Sequence, residues 1–432
     1  MQLKYIDMLY KFLIPALILF QSAASVFAQN DAVTLKECYR IAYENHPNSK
    51  QKEYYKSISS LKLENIGVNF LPQISVKGQA TYQSEVTELI VSNPMFQPPV
   101  INKDQYRLTM DVRQLIYDGS NTSSLKNTES KQVLVDEQKV EVDLFSLKQR
   151  INDLYFSVLL FQQGVKVNQL LINDLKSRIS ETESRVKNEL TLPADLYILQ
   201  AQLLQTEQDM QNLNTDREAS LKMLSELIGY NIPVSSVLDF PVHQPVVFNN
   251  DFTARPEYKL FEYQKNQLSS YDDVISSRVL PKLSAFGQAG VGRPGLNMLD
   301  NDFKPFYTVG INLTWNPINW GSDNNDKQIQ QINQKIVDSQ KETFDKNVKV
   351  SLEKYISDIE KYENLIVKDK ELIDLREKIV AATYSQLQNG TITSTVYLTE
   401  LNNKTQTQLM LETHKLQLLQ AKINYLTTKG VY

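Results

Sequence analysis

Two stretches of this chain are near copies of each other: LPQISVKGQA at Leu71–Ala80 and LPKLSAFGQA at Leu280–Ala289. They lie 209 positions apart, and the same offset joins Pro47 to Pro256. Each copy alternates apolar with polar or small residues, the period of a β-strand. Repetition over this distance predicts two tandem structural units with pseudo-symmetry, and it argues against a single catalytic pocket.

The repeat extends to the C-terminus with one change of length. Gly229 matches Gly430 at an offset of 201, because a loop of 23 residues at Gln83–Gln105 is only 15 residues at Gly292–Phe306. We therefore divide the chain into a signal segment at 1–28, a first repeat at 29–230, a linker at 231–252 and a second repeat at 253–432. Each repeat is expected to contain a helix, a strand pair and a long helical hairpin.

The N-terminus is typical of a secretory signal. Lys4 and Lys11 precede a short apolar core at Phe12–Phe20, and Ala28 precedes the expected cleavage point. A retained N-terminal anchor is the alternative, although the core is shorter than the ~20 residues that a membrane-spanning helix needs. The single cysteine excludes an intrachain disulfide framework. The net charge of −4 is spread along the chain, which argues against a nucleic-acid partner.

The longest predicted elements are helices. From Leu144 to Val186 the apolar residues are spaced alternately three and four apart, as in a heptad seam, with Asn168 and Thr182 as the polar exceptions. A helix over Asn121–Glu189 would be on the order of 100 Å long. Such a rod suits a chain that reaches across a compartment.

The strands have an apolar face and a polar face. We predict that the apolar face meets lipid, as in an outer-membrane barrel, with aromatic residues near the strand ends. An ordinary soluble hairpin with one buried face is the alternative. Four strands cannot close a barrel, so the membrane interpretation requires an oligomer, and a trimer would supply 12 strands. The predicted lipid-facing residues are Tyr106, Leu108, Met110, Val112, Tyr307, Val309, Ile311, Leu313 and Trp315.

No motif indicates catalysis. Gly290–Gly295 fits GxGxxG, but Pro294 and the polar residues after it lead into another strand rather than into the helix of a dinucleotide site. His46, His243 and His414 lie on separate segments, without partners at metal-ligand spacing. We therefore expect a protein that is not an enzyme and that has no cofactor and no metal site.

Acidic residues flank the two predicted helical turns. Glu189 and Asp195 lie at the first turn, and Glu400 follows the second. In an oligomer these carboxylates could form a ring that favours cations. The alternative is an ordinary solvated helix face.

Several segments together resemble the TolC family of outer-membrane efflux channels. They are the entry VTLKEC at Val33–Cys38, AYENHP at Ala42–Pro47, Arg255-Pro256-Glu257 at the start of the second repeat, and Tyr384 followed by Asn389-Gly390. The resemblance covers essentially the whole chain after the signal segment. It implies a homotrimer with a 12-stranded barrel in the outer membrane and a long periplasmic helical tunnel.

The resemblance also implies partners and a gate. Members of the family export solutes or proteins together with an inner-membrane pump and a periplasmic adaptor, and their inter-helix tips close the channel and dock the adaptor. Some members carry aspartates just after the second tip, where this chain has Val396 and Thr399, so a cation-selective ring is in doubt, and Glu400 is the nearest acidic substitute. The expected tip residues are Asn188, Glu189, Pro193, Asp195, Asn389, Gly390, Thr395 and Glu400.

The fold class expected is therefore mainly α with a small β component, built from two tandem long coiled-coil hairpins and four strands per chain. The expected function is the outer-membrane channel of a tripartite export system, a passive conduit gated at its periplasmic tips. The alternative class is a soluble periplasmic coiled-coil adaptor or interaction protein. Adaptors have one helical hairpin and usually an anchor, whereas this sequence predicts two hairpins.

Overall fold

The structure is a computed structural model that describes residues 33–88, 100–242, 245–249 and 251–432. The expected signal segment at 1–28 lies outside the described residues, as does His243. Within the described ranges there are seven α-helices and one four-stranded sheet. The mainly helical class with a small β component is confirmed.

The elements alternate between helices and strand pairs along the chain. One-turn 3-10 helices at Pro47–Lys50, Val68–Phe70 and Ser277–Val279 join some of them. The helices are α1 (Leu35–Asn45), α2 (Gln51–Gly67), α3 (Asn121–Lys187), α4 (Pro193–Ile228), α5 (Pro256–Ser276), α6 (Ser322–Gln388) and α7 (Ser394–Lys429). The strands are β1 (Gln73–Tyr82), β2 (Asp104–Tyr117), β3 (Lys282–Arg293) and β4 (Lys304–Thr314).

The two helical hairpins have the same length. Helices α3 and α6 each contain 67 residues, and α4 and α7 each contain 36. Both pairs begin 201 positions apart, the offset found in the sequence. The α3–α4 pair is called hairpin one, and the α6–α7 pair hairpin two. Helix α1 has no helical counterpart, because the described residues from 245 to 254 are irregular.

The heptad seam explains why α3 stays helical over such a length. Leu144, Ile151, Val158 and Leu175 along it are at most 3% exposed, so the seam forms a continuous packed face. Gly164 is the only glycine within α3. A Cβ at Gly164 would lie 3.1 Å from the Leu213 side chain of α4, so the glycine admits a close approach of the two helices.

The sheet is antiparallel in the order β1-β2-β3-β4. The register is regular except for a bulge in β2 between Leu115 and Tyr117. Strands β1 and β4 are the edges and have no partner on their outer side within the described chain. Two free edges carry unpaired backbone groups, which is the usual starting point for strand addition by another chain.

The chain divides into two compact units, each drawing segments from both sequence repeats. The first contains the described residues of Met1–Asn45 with Leu147–Val247 and Tyr355–Asn424. In it the fully buried Tyr155 donates a hydrogen bond to the carbonyl of Asp239 at 2.7 Å. The second contains His46–Ser146, Phe248–Lys354 and Tyr425–Tyr432, and with them the sheet.

A guanidinium sandwich characterises the second unit. Arg255, which precedes α5, lies 5.0 Å from the ring centres of both Phe145 and Phe344. Such cation–π contacts are worth about 0.5–2 kcal/mol each.

None of the helices in the described part of the chain is long and apolar enough to cross a membrane.

Candidate functional site at the helical tips

The tip of hairpin one ends α3 with a left-handed cap. The amide of Glu189 donates to the carbonyl of Val186 at 3.0 Å, and the amide of Leu190 donates to that of Arg185 at 2.9 Å. This pair of bonds is the Schellman pattern, which requires a left-handed residue before the last donor. Glu189 holds that conformation with φ +57°, although glycine is the usual residue there.

The tip of hairpin two repeats the same cap with the usual residue. Gly390 has φ +68° and donates to the carbonyl of Leu387 at 3.0 Å, while Thr391 donates to that of Gln386 at 3.0 Å. Glu189 and Gly390 are 201 positions apart, so the two tips are structural equivalents. Asn188 and Asn389 precede them, and both side chains are exposed.

Asp195 connects the two hairpins. Pro193 occupies the first turn of α4, as the sequence predicts, and Asp195 follows two residues later. Its Oδ1 accepts a hydrogen bond of 3.1 Å from the backbone amide of Ser394, the first residue of α7. A carboxylate at a helix N-terminus satisfies a free amide and interacts favourably with the helix dipole.

The environment of Asp195 favours the charged form. Partial burial would raise its pKa, but the hydrogen bonds from Ser394 and from the Thr191 hydroxyl, at 3.0 Å, hold the pKa below its ordinary value. Asp195 is therefore a charged contact between hairpins. It is half-buried rather than a free acidic group at the tip.

A second set of polar contacts between the hairpins centres on Glu181 of α3. Its carboxylate accepts hydrogen bonds from the Tyr384 hydroxyl at 2.5 Å and from Gln388 Nε2 at 3.1 Å, both on α6. The bond from Tyr384 is the main reason that the pKa of Glu181 is lowered. One turn further on, Arg185 Nη1 donates to the Gln388 carbonyl at 2.9 Å.

Arg178, also on α3, contacts both Glu181 and Tyr384. Its guanidinium carbon is 3.6 Å from the centre of the Tyr384 ring, and its nitrogens reach Asp174 at 3.5 Å and Glu181 at 3.6 Å. We call the contacts made by Arg178, Glu181, Arg185 and Asp195 with hairpin two the tip lock. The lock fixes the ends of α3 and α4 against those of α6 and α7.

An apolar cluster supports the tip lock from below. Leu175, Leu199 and Tyr397 are at most 1% exposed and pack together with Leu398 and Leu401. Burial raises the pKa of Tyr397 to about 12, so its hydroxyl stays neutral. Each buried leucine is worth about 1.5–3 kcal/mol, so this cluster outweighs any single contact of the lock.

The remaining predicted tip residues have other roles. Glu400 is half-buried and forms a salt bridge with Arg376 of α6 at 2.8 Å. Val396 is exposed, and Thr399 donates its hydroxyl to the carbonyl of Thr395 at 2.9 Å. The structure thus brings Asp195 into the lock, and it places Glu400 in a bridge within hairpin two.

The lock encloses no ligand site of useful size. The cavity lined by Arg178, Glu181, Tyr384, Gln388 and Tyr397 measures about 20 Å³. That volume is close to a single water molecule, far below the several hundred Å³ of a small-molecule pocket. Groups of three or more potential metal ligands are also absent from the described residues.

The predicted lipid-facing residues share one face of the sheet. By register, Leu108 lies opposite Gly78 and Val291, and Val309 lies opposite Gly287. On the edge strand β4 the apolar residues Tyr307, Val309, Ile311 and Leu313 are 65–74% exposed. Trp315 lies one residue beyond β4, where its indole nitrogen donates to the carbonyl of Val279 at 3.0 Å.

The sequence did not reveal the central residues of the lock. Glu181 and Tyr384 are 203 positions apart, and neither belongs to a short motif. The offset of 201 between the two repeats predicts hairpins of equal length, and residues near their ends are then expected to lie side by side. This offset was the one sequence feature that could have indicated a contact between Glu181 and Tyr384.

Comparison with solved structures identifies the architecture. The outer membrane protein VceC from Vibrio cholerae is 11% identical, with a TM-score of 0.63, over 92% of this chain and 96% of VceC. The open state of the MtrE outer membrane channel from Neisseria gonorrhoeae is 13% identical, with a TM-score of 0.64, over 92% and 88% of the two chains.

The CmeC outer membrane channel from Campylobacter jejuni is 12% identical, with a TM-score of 0.63, over 93% of this chain and 86% of CmeC. The chain has the fold of these outer-membrane channels. No family model and no curated protein matches the sequence. The similarity therefore lies in the outer-membrane channel fold, and the fold expected from the TolC resemblance is confirmed. CmeC and MtrE are outer membrane channels, and VceC is an outer membrane protein.

Proposed function

We propose that this chain is the outer-membrane channel of a tripartite export system and that it works as a homotrimer rather than as an enzyme. The observation that carries the proposal is the channel fold, shared over more than 90% of the chain with solved outer-membrane channels. In this assembly three four-stranded sheets close into a 12-stranded barrel in the outer membrane. The helical hairpins extend into the periplasm and form the conduit.

The sheet supports membrane insertion and trimer formation together. One face of β2 and β4 exposes apolar side chains such as Leu108 and Val309, at 58% and 73%. Strands β1 and β4 run in opposite directions, so β4 of one copy can add β1 of the next with an antiparallel ladder. Closure satisfies backbone groups that lipid cannot.

Helix α6 supplies a second apolar surface that fits another copy of the chain. Exposed apolar residues recur along it at spacings of three, four, 14 and 22, which at ~100° per residue keeps them on one helix face. Such a stripe is the expected contact between hairpins of neighbouring subunits. Its members are Ile329, Ile332, Ile336, Val350, Leu372, Leu375 and Ile379, each at least 39% exposed.

The tips are proposed as gate and as adaptor contact. Leu190, Leu192 and Tyr197 of hairpin one are 64–69% exposed, which suits docking by a coiled-coil adaptor carrying apolar residues. The tip lock keeps hairpin two against hairpin one in the resting channel. Adaptor and inner-membrane pump open the conduit by moving hairpin two, and solute then passes without chemical change.

The proposal is tested by the oligomer mass of the detergent-purified protein together with its conductance in a planar bilayer. We expect a trimer with small, discrete conductance steps. A water-soluble monomer without conductance would instead support the adaptor alternative.

A pair of variants tests the membrane face. The double substitution Leu108→Asp with Val309→Asp places two carboxylates in lipid, at a cost of about 2 kcal/mol each near the bilayer centre. It should abolish recovery of trimers from the outer membrane. The matched control, Gln79→Asp with Thr308→Asp, adds the same charge to the opposite face of the sheet and should insert normally. Trimers of the first variant in the outer membrane would refute the assignment.

A further inference from the structure

The face of the sheet opposite to the apolar residues is strongly basic. Register and alternation place Lys77, Arg107, Arg113, Lys282 and Lys304 on this polar face, together with one carboxylate, Asp111. The remaining charged strand residues, Asp104 and Arg293, pair with each other. Five cations therefore face one anion on the same surface.

The polar face also has a hollow between its side chains. Side chains including Lys77, Asp111, Arg113, Phe286 and Gln288 line a hollow of about 520 Å³. Because the opposite face is apolar, this face becomes the inner one when the sheet closes with lipid outside.

Two of the five cations are neutralised locally. Lys77 Nζ lies 3.0 Å from Asp111 Oδ2, and Lys304 Nζ lies 3.3 Å from Asp300 Oδ2. Gln288 donates a further hydrogen bond of 2.6 Å to Asp111 Oδ1. The only carboxylate of the polar face is therefore already engaged by a neighbouring cation and an amide.

Three cations remain without a counter-charge. Arg107, Arg113 and Lys282 form no ion pair with any residue in the described ranges, and Arg107 instead lies 5.7 Å from the centre of the Phe306 ring. Arginine on an aromatic face keeps its positive charge available to a passing anion.

We infer that the polar face of the sheet makes the channel selective for anions, so that the exported cargo is an anionic solute such as a carboxylate or a sulfonate. The inference rests on the proposed function, which turns this face into the lining of a conduit. Three copies would place three arginines around the lining at the level of Arg113 and three more at the level of Arg107. Rings of arginine or lysine are the usual basis of anion selectivity in pores.

The acidic residues of the loops do not cancel the charge at Arg113. Glu85, Glu88 and Asp302 lie beyond the ends of β1 and β4 that are nearest to Arg107. Arg113 pairs with Gln73 at the opposite end of β1, about 30 Å from Tyr82 at ~3.3 Å per residue. Screening at physiological salt acts over about 8 Å, so these carboxylates do not reach Arg113.

The test is the reversal potential in a tenfold KCl gradient across a planar bilayer, measured on the purified trimer. We expect the wild-type channel to pass chloride better than potassium. The triple variant Arg107→Gln, Arg113→Gln, Lys282→Gln should lower the chloride-to-potassium permeability ratio by at least about twofold. Asp111→Asn, which removes the carboxylate and keeps its shape, should raise the ratio and thus tests the idea even if the triple variant does not assemble.

Arg40→Gln provides the matched control, because Arg40 lies on α1, outside the sheet, and pairs with Glu37 and Glu44. Its permeability ratio should equal that of the wild type. A triple variant with normal conductance and an unchanged ratio would overturn the inference, as would an unchanged ratio in Asp111→Asn. Absence of conductance in the wild-type protein would instead refute the proposed channel itself.

Discussion

Removal of the Glu181 carboxylate should weaken the contact between the two helical tips and favour the open channel. This group accepts hydrogen bonds from Tyr384 at 2.5 Å and from Gln388 at 3.1 Å, which are contacts between hairpins one and two. Hydrogen bonds to a charged group are worth about 1.5–3 kcal/mol each. The Glu181 side chain is 38% exposed, so solvent screening reduces the pair to about 2 kcal/mol in total.

A loss of about 2 kcal/mol changes an equilibrium by roughly 30-fold. In Glu181→Ala the ratio of open to closed channels should therefore rise by about that factor for each subunit whose tip must open. Tyr384→Phe removes one of the two bonds and keeps the ring under Arg178, so its increase should be about fivefold. The measurement is the single-channel open probability of the purified trimer in a planar bilayer, without adaptor.

Glu183→Ala is the matched control, because Glu183 lies two residues along the same helix with an exposed side chain. It removes the same charge and should leave the open probability unchanged. The double variant Glu181→Ala with Tyr384→Phe should exceed Glu181→Ala only slightly, because both substitutions remove the same bond. Equal open probabilities in Glu181→Ala and Glu183→Ala, with intact trimers, would refute the lock as a gate.

Three further outcomes follow from the tip geometry. The folded-state pKa values of Asp195 and Glu181 are lowered from ordinary values of 3.8 and 4.5, so their contribution is complete above about pH 4.5 and is lost as the pH falls through the lowered values. Open probability should therefore rise as the pH falls below 4.5 through these values, and a constant open probability in intact trimers would contradict this. Glu189→Gly should raise the thermal midpoint by relieving about 1 kcal/mol of left-handed strain, and Gly390→Ala should lower it, as calorimetry of both variants would show. Leu199→Ala should destabilise the tip cluster by about 2–5 kcal/mol in denaturant unfolding, and a loss below about 1 kcal/mol would mean that the cluster repacks freely.

The long elements were predictable because their causes are local. The heptad seam and the lack of proline place the end of α3 at Lys187, two residues from the expected Glu189, and Pro193 begins α4 as expected. The alternation in β2 and β4 similarly fixes which residues share a face. In each case the type and the limits of the element depend on residues that are close together in the sequence.

The contacts of the acidic residues near the tips were not predictable, because they depend on distant residues. In the sequence, Asp195 and Glu400 both resemble free acidic residues. The structure pairs Asp195 with the amide of Ser394 and Glu400 with Arg376, 199 and 24 positions away. Short-range sequence patterns carry no information about such partners. To find them, one must know which residues of two long helices lie side by side.

The equal lengths of the hairpins restrict how this protein can evolve. Deletion of one residue within α6 would shift everything beyond it by about 1.5 Å and rotate it by about 100°, which would misalign Gln388 and Ser394 with hairpin one. Substitutions have no such penalty, so helix length is inherited while residue identity drifts. Insertions are expected in the loops between strands, where the two halves of the chain already differ by eight residues. A fold under this constraint tolerates wide variation in sequence, and solved structures with the same fold over nearly the whole chain are only 11–13% identical to it.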